Sequence, residues 1–227
     1  ALTDPYAAPA VVDSTLHGWF ANILPDFDQR DTEVERYIIQ NTLWWMAVSG
    51  ADAIRQDTWP YSPRRFWRPW MDAVKREFPQ VTVVAEVWHE DPAVMSFFEG
   101  THVGFDGIRT GVDQMFDFPL QAATRRVFAR GQSIRQLAQV LAQDRLYDNP
   151  NALVTFLDNH DMPRLPWDST ATEEGMRLAI TFLFTARGIP QLYYGNEIMM
   201  TGNGDPDNRR DFPGGFPGDT RSAFDAA

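Results

Sequence analysis

The chain has 227 residues, 44% of them hydrophobic and 13% aromatic, enough apolar material for one sizeable core and too much for a disordered segment. Its formal charge of -11 sets it against nucleic acid and anionic membranes, polyanions that this surface would repel, and suits a neutral substrate. With no cysteine it has neither a disulfide framework nor a thiolate metal site; no apolar run approaches the roughly 20 residues of a membrane-crossing helix, and the opening "ALTDPYAAPAVVD" lacks the basic start and apolar stretch of a signal peptide.

After this proline-dotted opening, "DTEVERYIIQNTLWWMAVSG" predicts a helix. Asp31 is its N-cap, Val34, Ile38 and Trp45 share a face with Tyr37, Trp44 and Val48 beside it, and Gly50 stops it. "ADAIRQD" follows as a short strand, and Ser62-Pro63 then offers a cap and first-turn proline to a helix carrying Phe66, Trp67, Trp70, Met71, Val74 and Phe78. "VTVVAEVW" is the clearest strand, β-branched and nearly continuous, as expected where both faces are covered. Next, "DQMFDFPL" reads as a strand running into a helix near "PLQAATRRVFARG", and a second helix starts at the cap candidate Ser133 and runs through Ile134, Leu137 and Leu141. "NALVTFLDNHD" is another strand with polar residues at its exit. Thr170 to Glu173 has the spacing of a capping box ahead of Met176, Ile180 and Leu183, Gly188 and Pro190 close that helix, and "QLYYGNE" is the final strand candidate. The end, "TGNGDPDNRRDFPGGFPGDTRSAFDAA", is rich in Gly, Pro, Asp and Asn and reads as loop.

Alternating strands and helices predict a parallel α/β sheet or barrel. No glycine loop of dinucleotide or Walker type is present to cradle a phosphate. About five strand candidates fall short of the eight of a closed TIM barrel, which leaves a smaller α/β domain or a piece of a barrel. Most tryptophans, Trp44, Trp45, Trp67 and Trp70 among them, have core spacing, and Trp59 and Trp88 are the two candidates for stacking on a sugar ring.

Three carboxylates, Asp57, Glu86 and Asp161, stand at or just beyond the exits of three strand candidates. In a parallel barrel those exits lie on one face. Alternation along the strand puts Ala53, Arg55 and Asp57 on the same side, so Arg55 can hold Asp57 ionised and oriented. Glycoside hydrolysis needs two carboxyls of unequal proton affinity, one to attack the sugar and one to protonate the leaving oxygen. Asp57 beside Arg55 suits the first role, and Glu86 among Val84, Val87 and Trp88 the second. Each acid alone has a plainer reading as a helix cap or loop hydrogen-bonder, Arg55 alone as a salt-bridge partner, and His160 alone as an ordinary satisfied histidine.

Together these residues resemble the α-amylase family, retaining α-glucan enzymes built on a TIM barrel. "ADAIRQDT" resembles its fourth-strand motif, "VVAEVW" its fifth and "FLDNHD" its seventh. "LPDFDQ", Leu24 to Gln29, is similar to the stretch that closes the family's inserted domain B, and "PQLYYGNE" to its eighth strand. All five occur in the family's order, which is far more specific than any single match. The resemblance implies Asp57 as nucleophile, Glu86 as general acid/base and Asp161 as transition-state stabiliser, with Arg55 and His160 holding the nucleophile and sugar hydroxyls. It also implies that Asp158 to Asp161 end their strand because substrate lies there. "DTWPY" and "GNGDPDNRRDFPGG" resemble most closely the cyclomaltodextrinase and neopullulanase-like branch. Thr58-Trp59-Pro60-Tyr61 stands where many α-amylases carry a Lys-His pair, and Gln56 replaces the usual apolar residue between arginine and nucleophile.

The fold so implied is a partial TIM (β/α)8 barrel, roughly strands four to eight with their helices, without the early strands or the C-terminal β-domain. Residues 1–30 would be the tail of domain B and its return to the barrel, 31–200 the (βα) units, and 201–227 the end of the last strand-helix connection. An open sheet exposes an apolar edge, so self-association or pairing with a complementary fragment is expected. The implied activity is retaining hydrolysis or transglycosylation of α-1,4-glucosidic bonds in cyclodextrins or maltooligosaccharides. A catalytically incomplete glucan-binding or scaffolding fragment is the alternative, and an α/β enzyme using the carboxylates on a metal is a third. The glycosidase chemistry requires no cofactor. Calcium is a candidate ligand of the oxygen-rich "GNGDPDN" loop, which otherwise reads as solvated loop. A periplasmic or secreted location follows from the resemblance alone.

Overall fold

The computed structural model describes residues 3–213. The chain forms two compact units, one made of the residues up to Phe118 together with Asp144–Leu153, the other of Pro119–Gln143 together with the residues from Val154 onward.

In the first unit, helix α1 (Pro9–His17) leads to α2 (Thr32–Ser49), β1 (Ala53–Gln56), α3 (Arg64–Glu77), β2 (Thr82–Ala85), α4 (Pro92–Phe97) and β3 (Gln114–Phe116). The three strands are parallel in the order β1-β2-β3, with Gln56 opposite Ala85 and Ala85 opposite Met115. Strand-helix-strand order forces this geometry, because a chain that leaves a strand through a helix re-enters the sheet in the same direction. The limits of α2 match the sequence: the Asp31 carboxylate accepts from the Glu33 N–H, and Gly50 ends the helix at φ +63° with its N–H on Met46 O. That left-handed turn costs glycine little.

The core of this unit is aromatic. Trp59 and Trp67 lie parallel at 4.1 Å, Trp70 meets both edge-on, and the Trp70 indole N–H donates to Thr42 Oγ1 at 3.0 Å, tying α3 to α2. Beneath them Val83, Ala85 and Val87 are wholly buried. Both Glu99 carboxylate oxygens accept backbone N–H groups, from Asp148 and Asn149, which binds the 144–153 segment to this unit.

Two expectations are corrected here. Trp44 and Trp45 are 55% and 56% exposed and pack edge-on against each other rather than into the core; helical spacing assigns residues to a face, but only a covering element buries that face. Helix α3 begins at Arg64 with no side-chain cap, and Ser62 ends the 3-10 turn Trp59–Tyr61 instead. Beyond any expectation from the sequence, the opening also contains a helix, α1, with Pro9 in its first turn, as Pro92 is in that of α4 behind the Asp91 cap.

The second unit holds α5 (Phe118–Thr124) from Pro119 on, continued by a π-turn at Arg125–Ala129, then α6 (Arg135–Leu141), β4 (Leu153–Phe156) from Val154 on, α7 (Glu173–Thr185) and β5 (Ile189–Gln191). Strands β4 and β5 pair in parallel, Val154 opposite Ile189 and Phe156 opposite Gln191. Leu157, Leu165, Met176, Ala179 and Leu183 pack under α7. The helix is capped by Thr172, whose hydroxyl accepts from Gly175 N–H, and not by Thr170, whose hydroxyl donates to Ala129 O. The last strand lies earlier than its aromatic residues predict: the chain turns at Tyr193, where Asn196 N–H bonds Tyr193 O and Gly195 takes φ +84°. Among the described residues no helix is long and apolar enough to cross a membrane.

Truncating Trp70 to alanine should lower stability by about 3–5 kcal/mol, since it removes a buried ring and its hydrogen bond to Thr42. Denaturant unfolding of Trp70→Ala measures it, and a midpoint equal to that of the wild type would contradict this account of the core.

Candidate active site

Asp57 and Glu86 each stand one residue beyond a strand, and the Gln56–Ala85 register sets them side by side. Two backbone bonds stitch the exits together: Glu86 N–H to Gln56 O at 2.8 Å and Trp59 N–H to Glu86 O at 3.1 Å. Between these bonds Thr58 adopts φ +49°, ψ 38°, a left-handed conformation that is rare for a β-branched residue. Its N–H points at Glu86 Oε2 from 3.5 Å.

Arg55 serves both acids. Its Nη2 lies 2.5 Å from Glu86 Oε1 and 3.6 Å from Asp57 Oδ1. The sequence assigns Arg55 to the nucleophile; in the structure it sits nearer Glu86, the acid that has lost its water. The Glu86 side chain is 7% exposed, that of Asp57 63%, and a buried carboxyl needs the cation more. Burial raises the Glu86 carboxyl from 4.5 to about 7, a hydrogen bond with Asp57 pushes the same way, and the Arg55 charge opposes both. The result is one carboxyl that keeps a proton near neutral pH beside one that is open to solvent.

The two aromatic candidates divide. Trp59 is wholly buried with one face on Trp67, so it is a core residue and offers no ring to a ligand. Trp88 is 46% exposed and stacks one face on Phe118 at 5.0 Å and 21°. An apolar cavity of about 270 Å³ in this unit is lined by Val12, Leu16, Phe97, Phe105 and Ile108, and neither Asp57 nor Glu86 reaches it.

In the second unit the polar exit of β4 serves two purposes. Asp158 is wholly buried and structural: it accepts from Leu165 N–H at 2.5 Å and from Asn196 Nδ2 at 2.9 Å, and burial raises its carboxyl above the usual range. Asn159 Oδ1 accepts the Asp161 N–H at 2.9 Å, a local turn. Asp161 itself faces outward, with His160 Nε2 3.0 Å from one oxygen and Arg209 Nη2 3.0 Å from the other. Neither Arg209 nor its buried neighbour Asn208 is marked by sequence reasoning. They lie in the "GNGDPDNRR" loop, which the sequence marks by its family resemblance and its oxygen-rich composition without singling out either residue. The carboxylates of that loop are engaged: Asp205 pairs with Arg209, and Asp207 accepts from Asn203 N–H and pairs with Arg210. Among the described residues no group of three or more His, Asp or Glu is arranged to hold a metal ion.

A profile of the α-amylase catalytic domain matches residues 13–212. A cyclomaltodextrin glucanotransferase of Niallia circulans is 30% identical over 203 residues, 87% of this chain and 27% of its own length. A cyclomaltodextrinase of Geobacillus thermopakistaniensis is 30% identical over 196 residues, covering 84% of this chain and 31% of that protein. A solved α-amylase of Geobacillus thermoleovorans, complexed with acarbose, superposes with a TM-score of 0.79 at 35% identity, over 91% of this chain and 46% of that one. The chain thus spans about a third or less of the length of these curated relatives.

Because Glu86 binds its proton more tightly folded than unfolded, about 7 against 4.5, the folded state gains protons relative to the unfolded one between those values. Its contribution is therefore fully present below about pH 4.5 and lost as pH rises through about 7. Glu86→Gln removes this dependence. The variant should gain stability relative to wild type at pH 8 compared with pH 4.5, and parallel midpoints across that range would refute the assignment.

Proposed function

This chain belongs to the α-amylase family, and on that premise we propose that it carries the catalytic machinery of a retaining enzyme acting on α-1,4-glucosidic bonds of cyclodextrins and maltooligosaccharides. The observation that supports this best is the unequal pair under Arg55: a buried Glu86 protonated to about pH 7 and an open Asp57. In this reading the five strands correspond to roughly the fourth to eighth of a (β/α)8 barrel. Residues 1–30 are the end of an inserted domain, 31–200 the (βα) units and 201–227 the last connection, of which 214–227 lie outside the described residues.

The reaction has two steps. An Asp57 oxygen bonds to the anomeric carbon as the glycosidic C–O bond breaks, and the Glu86 proton passes to the departing oxygen. Water then bonds to the same carbon, its proton returns to Glu86, and the ester to Asp57 breaks, restoring both groups. Asp161 stabilises the positive charge that develops on the sugar in each step, while His160 and Arg55 hold hydroxyls and nucleophile. The open face of Trp88 stacks on a glucose ring. When a sugar hydroxyl replaces water, the second step is transfer, and relatives bearing the names of a transferase and of a cyclomaltodextrinase are both consistent with this site.

Incubation with a fluorinated glucosyl fluoride, followed by peptide mass spectrometry, should place one glucosyl adduct on the peptide containing Asp57 and none on Asp57→Asn. An adduct on another carboxylate would overturn the assignment. Reducing-sugar release from maltoheptaose should fall by about 10²–10⁴ in Glu86→Gln. In the wild type kcat/KM should decline as pH rises through about 7, where Glu86 loses the proton it must donate; a profile flat across neutrality would reject Glu86 as the acid.

A further inference from the structure

We propose that Arg209 is a positioning residue for Asp161, fixing the direction of its carboxylate; the inference rests on the reading of Asp161 as the acid that meets the transition state. The two Asp161 oxygens have different partners, Arg209 Nη2 on Oδ1 and His160 Nε2 on Oδ2, each at 3.0 Å. The Asp161 N–H is tied to Asn159 Oδ1. With backbone and both oxygens held, the carboxylate has one orientation before any sugar arrives, which is the form of electrostatic preorganisation that lowers barriers.

Arg209 can do this because the loop that carries it is itself anchored. Its Nε donates to His160 O at 2.9 Å and lies 3.0 Å from Asp205 Oδ1, so the guanidinium has further partners beside the nitrogen that meets Asp161. The preceding residue, Asn208, is wholly buried and its Nδ2 donates to the carbonyls of His160 and Met162 at 2.8 and 2.9 Å. Beneath it the wholly buried Arg164 donates from Nε to Asn208 O and from Nη1 to Tyr194 O, stacks over the Tyr193 and Tyr194 rings, and gives its own N–H to Gly202 O. A loop of glycine, asparagine and aspartate is thereby pinned to the residues that follow β4, and Arg209 arrives at Asp161 from a fixed base. An exposed ion pair by itself contributes little to stability. What this one supplies is direction.

The test is a double-mutant cycle in the full chain, Arg209→Gln, Asp161→Asn and both together, read as kcat and KM on maltoheptaose and as denaturant midpoints. Arg209→Gln should lower kcat by about 10- to 100-fold with KM changed less than about 2-fold. Arg209→Lys should regain part of the loss, and Arg209→Gln should cost nothing more once Asp161 is Asn. A raised KM at unchanged kcat would make Arg209 a sugar contact and overturn the proposal, as would independent, multiplying losses. A wild type without turnover on maltoheptaose or on the fluoride reagent rejects the reading of the reaction instead. The midpoints separate positioning from folding: an Arg209→Gln midpoint close to wild type supports the proposal, and one lowered enough to account for the lost kcat overturns it.

Discussion

A guanidinium placed between two carboxyls must be kept there against the pull of water, and at Arg55 the backbone does the keeping. The β1–β2 register and the two hydrogen bonds beyond it set the backbones of Asp57 and Glu86 side by side, so that Arg55 reaches both carboxyls. Val83, Ala85 and Val87, all wholly buried, anchor the strand on the core side, and the Glu86 side chain that follows is itself only 7% exposed. An acid so placed keeps its proton because the charged form has lost its hydration, not because a neighbour donates one.

The exit of β4 solves a different problem with similar residues. Its four polar positions divide by depth: Asp158 is buried and spends both oxygens on the fold, Asn159 closes a turn, and His160 and Asp161 remain accessible. Turn chemistry and site chemistry are thus consecutive. The buried aspartate fixes Leu165 and Asn196, while Arg164, the residue before Leu165, anchors the loop that carries Arg209.

Features set by adjacent residues are legible in the sequence. The limits of α2 follow from Asp31 and Gly50, and the placement of Asp57 and Glu86 at strand exits follows from short β-branched runs. What escapes is whatever depends on a distant partner. Trp59 looks as free to meet a sugar as Trp88 until Trp67 covers its face, and Trp44 and Trp45 carry core spacing without a covering element in their unit. Thr170 has the spacing of a cap, but its hydroxyl is taken by Ala129 O, on another segment, and Thr172 caps α7 instead. Arg209 is an arginine in a polar loop, and only Arg164 and Asn208, acting through the fold, make it a neighbour of Asp161.

Thr58 has the last consequence. At φ +49° it is held in a conformation that a threonine leaves gladly, yet the reversal it makes delivers Trp59 N–H to the Glu86 carbonyl. Glycine at this position would relieve the backbone and loosen the link between Asp57 and the core at once. Relief of the one and loss of the other act on stability in opposite directions, and a library varied at position 58 would show which prevails.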